Sequence, residues 1–126
     1  MTEIRVGDHG YRIMTVERGG KWTARTEHAA TGERFGIECT GRTDTEAVER
    51  MARWLTWQHE HESALSALQE AERAYHRTIA GSAFANPTEG PTAIELQKEA
   101  FKKVEAARLR LDDIRAKEVS HEAYED

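Results

Sequence analysis

Two histidines and two carboxylates fall within six residues, Trp57-Gln58-His59-Glu60-His61-Glu62. Such a cluster could bind a metal ion or run acid–base chemistry. The stretch lies inside a long segment free of proline and glycine, so it is read as helical. Two positions apart on a regular helix, His59 and His61 point about 200° from each other and cannot share one ion. The pattern His-Glu-x-x-His is absent. A carboxylate-bridged dimetal bundle takes Glu-x-x-His from each of two helices. Here His59 precedes Glu62, and the second helix offers no histidine before His121. No metal and no cofactor are therefore expected. A His59/Glu62 enzyme site, completed by a second copy of the chain, stands as the alternative. His61 falls at the edge of an apolar stripe and is expected to be half-buried, with His59 and the two glutamates solvated.

Other groups invite the same weighing. Glu72 falls beside Leu68 and Tyr75, where an ion pair to Lys98, Lys103 or Arg108 of the second helix would satisfy it. As a catalytic carboxylate it would need a cleft and a second group of displaced pKa. Cys39, the only cysteine, alternates with Ile37 and Phe35 and reads as a buried strand thiol. One cysteine excludes an intrachain disulfide and a cysteine-rich zinc site. Gly-x-Ser-x-Gly, the P-loop and Gly-x-Gly-x-x-Gly are all missing. The chain is expected not to be an enzyme.

Large aromatic residues point instead to contact with a protein. Trp54, Trp57, Tyr75, Phe84 and Phe101 are the candidate partner-binding residues, since aromatic side chains anchor interfaces. Trp54 and Trp57 could equally be core. Phe84 lies in an eleven-residue connection, 81–91, long for two paired helices.

The elements that must position these groups fall into two periods. Residues 3–40 read as strands. Gly19-Gly20 is a hairpin signal, because both turn positions can take positive φ without steric cost. Thr31-Gly32 is a second turn; pairing Ala30 with Glu33 puts His28 opposite Phe35, Thr26 opposite Ile37 and Ala24 opposite Cys39. Trp22, Ala24, Thr26, Phe35, Ile37 and Cys39 then share the core face. In the first hairpin a strict two-residue turn would send Tyr11 and Ile13 inward. A register with one bulged residue, sending Met14 and Val16 inward, is preferred. A short strand at 4–6 completes the set.

After Gly41 the period becomes helical. Thr43 as N-cap with Glu46 three residues on makes a capping box, and Asp44 suits the positive end of the helix dipole. Val48, Met51, Ala52 and Leu55 form a stripe for the sheet. Ala64, Leu65, Leu68, Ala71, Tyr75 and Ile79 form a second stripe, rotated from the first. It suits a second helix, capped by Thr92 and running to about Val119, with Ala100, Phe101, Val104, Ala107, Leu111 and Ile114 facing it. Folding back at 81–91 sets Leu68 near Val104, Ala71 near Phe101 and Trp57 near Arg115.

The expected fold is thus α+β. A three- to four-stranded antiparallel β-meander is backed by the start of a long helix (1–57). The long helix then forms an antiparallel hairpin with a second helix (58–119), followed by a frayed tail (120–126). A two-helix arm has little core of its own, so homo-oligomerisation or docking into a larger assembly is expected.

Charge narrows the partners. The chain carries 18 Lys/Arg against 23 Asp/Glu, a net charge of −5. Residues 43–126 hold 17 acidic against 11 basic groups, so the helical part is a poor phosphate-binding surface. The strand part is near neutral. On its open face Arg12, Arg18, Lys21, Arg25 and Arg34 form the alternative, nucleic-acid-binding set. No basic segment leads into an apolar run at residues 1–10, and no stretch approaches a membrane span. A cytoplasmic protein without a membrane partner is expected.

The corner Gly41-Arg42-Thr43-Asp44-Thr45-Glu46-Ala47 resembles the Gly-x-Thr-x-x-Glu-Ala strand-to-helix corner of HicB-type antitoxins. The resemblance covers less than half the chain. It implies a three-stranded sheet followed by a helix and a nucleic-acid-linked regulatory role. The same corner is similar to the last strand and helix of double-stranded-RNA-binding domains. Those place a basic cluster at the helix start, where this chain has Asp44 and Glu46.

Overall fold

Glycine at the right turn positions decides how the strands pair. In the computed structural model, which describes residues 1–82 and 93–118, four antiparallel strands form one sheet in the order β1-β2-β3-β4. They are β1 (Thr2–Val6), β2 (His9–Arg18), β3 (Lys21–His28) and β4 (Arg34–Gly41). Helix α1 (Asp44–Ser82) follows, then α2 (Ala93–Ala116), which packs against it. Phe84, the Thr92 cap, Val119 and the 120–126 tail lie outside the described residues. The fold is α+β, as expected.

The first hairpin departs from the preferred register. Arg18 pairs with Lys21, so Gly19 and Gly20 alone make the turn. Both have positive φ, 60° and 80°, which closes a two-residue turn whose twist matches the strands. No bulge is needed. A slip of one residue turns every side chain over, so Tyr11 and Ile13 are buried while Val16 is exposed and Met14 only half-buried.

The bulge is in the other hairpin. Ala24 pairs with Cys39 as expected, but Thr26 pairs with Phe35, leaving three residues of β4 opposite Arg25 alone. The turn is longer than expected: His28 N–H donates to the Glu33 carbonyl at 2.8 Å. A shift of two keeps Phe35 inward but lifts Ile37 out, to 37% exposure. Trp54 explains the bulge. Gly36 sits at φ 75°, and a Cβ there would fall 2.6 Å from the Trp54 ring. The strand bends so that the indole can lie on bare backbone.

At the strand-to-helix corner Thr43 caps the helix as expected, but the reciprocal half of the box does not form, because the Glu46 carboxylate lies 3.6 Å from Arg50 instead. Thr43 Oγ1 accepts the Glu46 N–H at 3.1 Å, and the Thr15 hydroxyl donates to Asp44 Oδ1 at 2.6 Å. A Cβ on Gly41 would come within 2.5 Å of the Ala47 backbone nitrogen. Strand and helix can therefore meet this closely only at glycine.

Two compact units result: residues 1–59 with 117 and 118, and Glu60–Ala116. The core of the first is Val6, Tyr11, Ile13, Ala24, Cys39, Ala47, Met51, Trp54 and Leu55. In the second, Ala64 and Leu68 of α1 and Val104, Leu111 and Ile114 of α2 are buried. α1 and α2 run antiparallel there, with Phe101 against Tyr75 at 5.6 Å and Arg115 against His61. The expected pairing is thus displaced by one helical turn, since Phe101 was matched with Ala71 and Arg115 with Trp57. α1 also continues through Gly81 to Ser82, and α2 ends at Ala116 rather than near Val119.

Candidate functional site

The histidine-rich stretch is divided by its geometry. His61 is half-buried and its Nε2 accepts a hydrogen bond from Arg115 Nε–H at 3.2 Å. His59 is exposed, with its ring over the β1–β2 turn: a Cβ on Gly7 would fall 2.5 Å from His59 Cε1. Among the described residues no three His, Cys, Asp or Glu side chains gather around a common point for an ion. Glu72 is half-buried but makes no ion pair with Lys98, Lys103 or Arg108 among the described residues, contrary to expectation.

Cys39 is fully buried, with its Sγ 3.9 Å from Met51 Sδ. Burial pushes the thiol up to about 11, and the positive charge of Arg50 partly opposes this. The reactive thiolate is thereby suppressed. Iodoacetamide at pH 8 is expected to leave Cys39 unmodified in the folded chain and to label it fully in guanidinium, as read by intact mass. Because the folded value is raised, the stability it contributes is complete below the ordinary value of 9.0. It is lost as pH rises through about 11.

The five basic residues do share one sheet face. Arg12 and Arg18 of β2, Lys21 and Arg25 of β3 and Arg34 of β4 alternate with inward Tyr11, Ile13, Ala24, Thr26 and Phe35. They do not form a bare basic patch. Arg12 donates to Glu27 at 3.3 Å and lies 3.8 Å from Glu3. Arg25 pairs with Glu38 at 3.2 Å, and Arg34 pairs with the same carboxylate. Arg18 and Lys21 stand opposite each other at the hairpin tip.

The aromatic candidates separate. Trp54 is in the core at 7% exposure, 6.3 Å from Phe35 between ring centroids, and Trp57 packs half-buried against the same core. Neither stands open to solvent as an anchor. Tyr75 and Phe101 lie together on the hairpin, with Phe101 at 45% exposure. Elsewhere on α2 are exposed apolar residues outside the expected stripe: Ile94, Leu96 and Leu109. The missed signal is positional, because Ile94 and Leu109 lie off the stripe defined by Val104, Leu111 and Ile114 and so lack a place in the seam. On one flank of the seam, Ala71, Ala74 and Thr78 face Leu96, Ala100 and Lys103 across an open groove of about 230 Å³.

Among the described residues no helix is long and apolar enough to cross a membrane. The Gly41–Ala47 corner, which carries the antitoxin resemblance, is accounted for locally by the Thr43 cap and the Gly41–Ala47 approach. No family model, no curated protein and no solved structure matches the chain.

Proposed function

We propose that the chain is a non-catalytic cytoplasmic interaction module, an accessory subunit or adaptor that associates with copies of itself through its helical hairpin. The observation that best supports this is the exposure of large apolar side chains on the hairpin. Ile94 is 65% exposed, Leu96 50%, Phe101 45% and Leu109 69%. Two helices can bury only the seam between them. Apolar area left on the flanks costs about 25 cal/mol per Å² in water and marks a surface meant to be covered. Light scattering at micromolar concentration is expected to give a mass above the 14.3 kDa of one chain. A monomeric mass throughout, with no partner retained, would refute it.

A second reading, a nucleic-acid-linked regulator of antitoxin kind, draws on the co-facial Arg12, Arg18, Lys21, Arg25 and Arg34. Glu3, Glu27 and Glu38 already neutralise much of that face. Any RNA or DNA binding through it would weaken steeply between low and moderate salt. No binding at low salt removes this reading.

A further inference from the structure

Five exposed residues of α2 form a self-complementary stripe over residues 94–109. At 100° per residue, Ile94, Lys98, Phe101, Glu105 and Leu109 fall within about 80° of one another, on a side that runs from Phe101, next to the Val104–Leu111 seam, round to Leu109, almost opposite it. The stripe reads apolar, cation, apolar, anion, apolar. All five side chains are exposed, and neither Lys98 nor Glu105 has an ion pair among the described residues. Reversing the stripe about its midpoint, between residues 101 and 102, exchanges Ile94 with Leu109 and Lys98 with Glu105.

The geometry points to a specific occupant for this flank: α2 of a second copy, antiparallel across a two-fold axis beside Phe101. A two-fold interface presents the same patch from both sides, so each residue must suit its mirror partner. Here Ile94 meets the second copy's Leu109, and Lys98 meets its Glu105, each contact occurring twice. The two Phe101 rings meet at the axis, still leaning on their own Tyr75. A parallel pairing would set Lys98 against Lys98 and Glu105 against Glu105 and is disfavoured.

This pairing rests on the reading of the hairpin as a self-associating module. It is tested on the full chain by sedimentation velocity at low salt, where exposed charges are least screened. The variants are Lys98→Glu, Glu105→Lys and the double swap. Each single swap creates two like-charge contacts and is expected to weaken association by roughly tenfold or more. The double swap restores opposite charges and is expected to return the affinity to within roughly threefold of the parent. Self-association that ignores the single swaps, or a double swap as weak as either single, overturns this pairing while leaving self-association standing. A parent chain that stays monomeric overturns both.

Discussion

Replacing Trp54 with Ala is expected to lower the unfolding free energy of the sheet unit by about 3–5 kcal/mol, the cost of emptying a core indole site. The indole is 7% exposed, lies over Phe35 and rests on the bare backbone of Gly36. Nothing smaller fills that volume, because the bulge in β4 is shaped around the ring. Denaturant unfolding followed by near-ultraviolet circular dichroism measures the loss. The same variant is expected to keep the parent's association state at concentrations where it remains folded. A Trp54→Ala chain of parental stability and reduced association would make the tryptophan an interface anchor after all.

The second large effect is at Gly41. A methyl group there would meet the Ala47 nitrogen at 2.5 Å and the Ala47 Cα and Glu46 carbonyl carbon at 3.0 Å. All three are backbone atoms of the first helical turn, which Thr43 and Thr15 pin in place. No side chain can rotate to relieve the clash, so helix and strand must separate. Gly41→Ala is expected to cost about 3 kcal/mol, towards the upper end for overpacking. For comparison, Thr43→Ala, which removes the cap and adds no atoms, is expected to cost about 1 kcal/mol. Equal losses from the two substitutions would show that the corner tolerates the added carbon.

These two sites mark where sequence alone stops. The cap at Thr43 was legible because its donor and acceptor are three residues apart and need nothing distant. Gly19-Gly20 announced the hairpin, but not that Tyr11 rather than Met14 would turn inward. Both faces of β2 carry apolar residues, so the pattern barely separates registers one residue apart. The β4 bulge was illegible because its cause, the Trp54 ring, lies eighteen residues further along the chain. Helical repeats are nearly degenerate under a shift of four, hence the displacement that set Phe101 on Tyr75 and Arg115 on His61. Of the candidate site, Phe101 and Tyr75 are legible from aromatic type and from their places on the helical stripes. Ile94 and Leu109 were passed over because they fit no seam, which is the property that makes them notable.

The sheet face and the hairpin flank compete as the surface through which the chain acts, and they can be separated directly. Sedimentation equilibrium of three full-length chains, the parent, Phe101→Asp and Arg12→Asp, makes the comparison. Phe101 is at the centre of the exposed flank, and Arg12 at the centre of the ion-paired sheet face. The expected result is a mass above 14.3 kDa for the parent and for Arg12→Asp, and 14.3 kDa for Phe101→Asp. A Phe101→Asp chain that keeps the parent's mass, or an Arg12→Asp chain that loses it, would contradict the assignment of self-association to the hairpin.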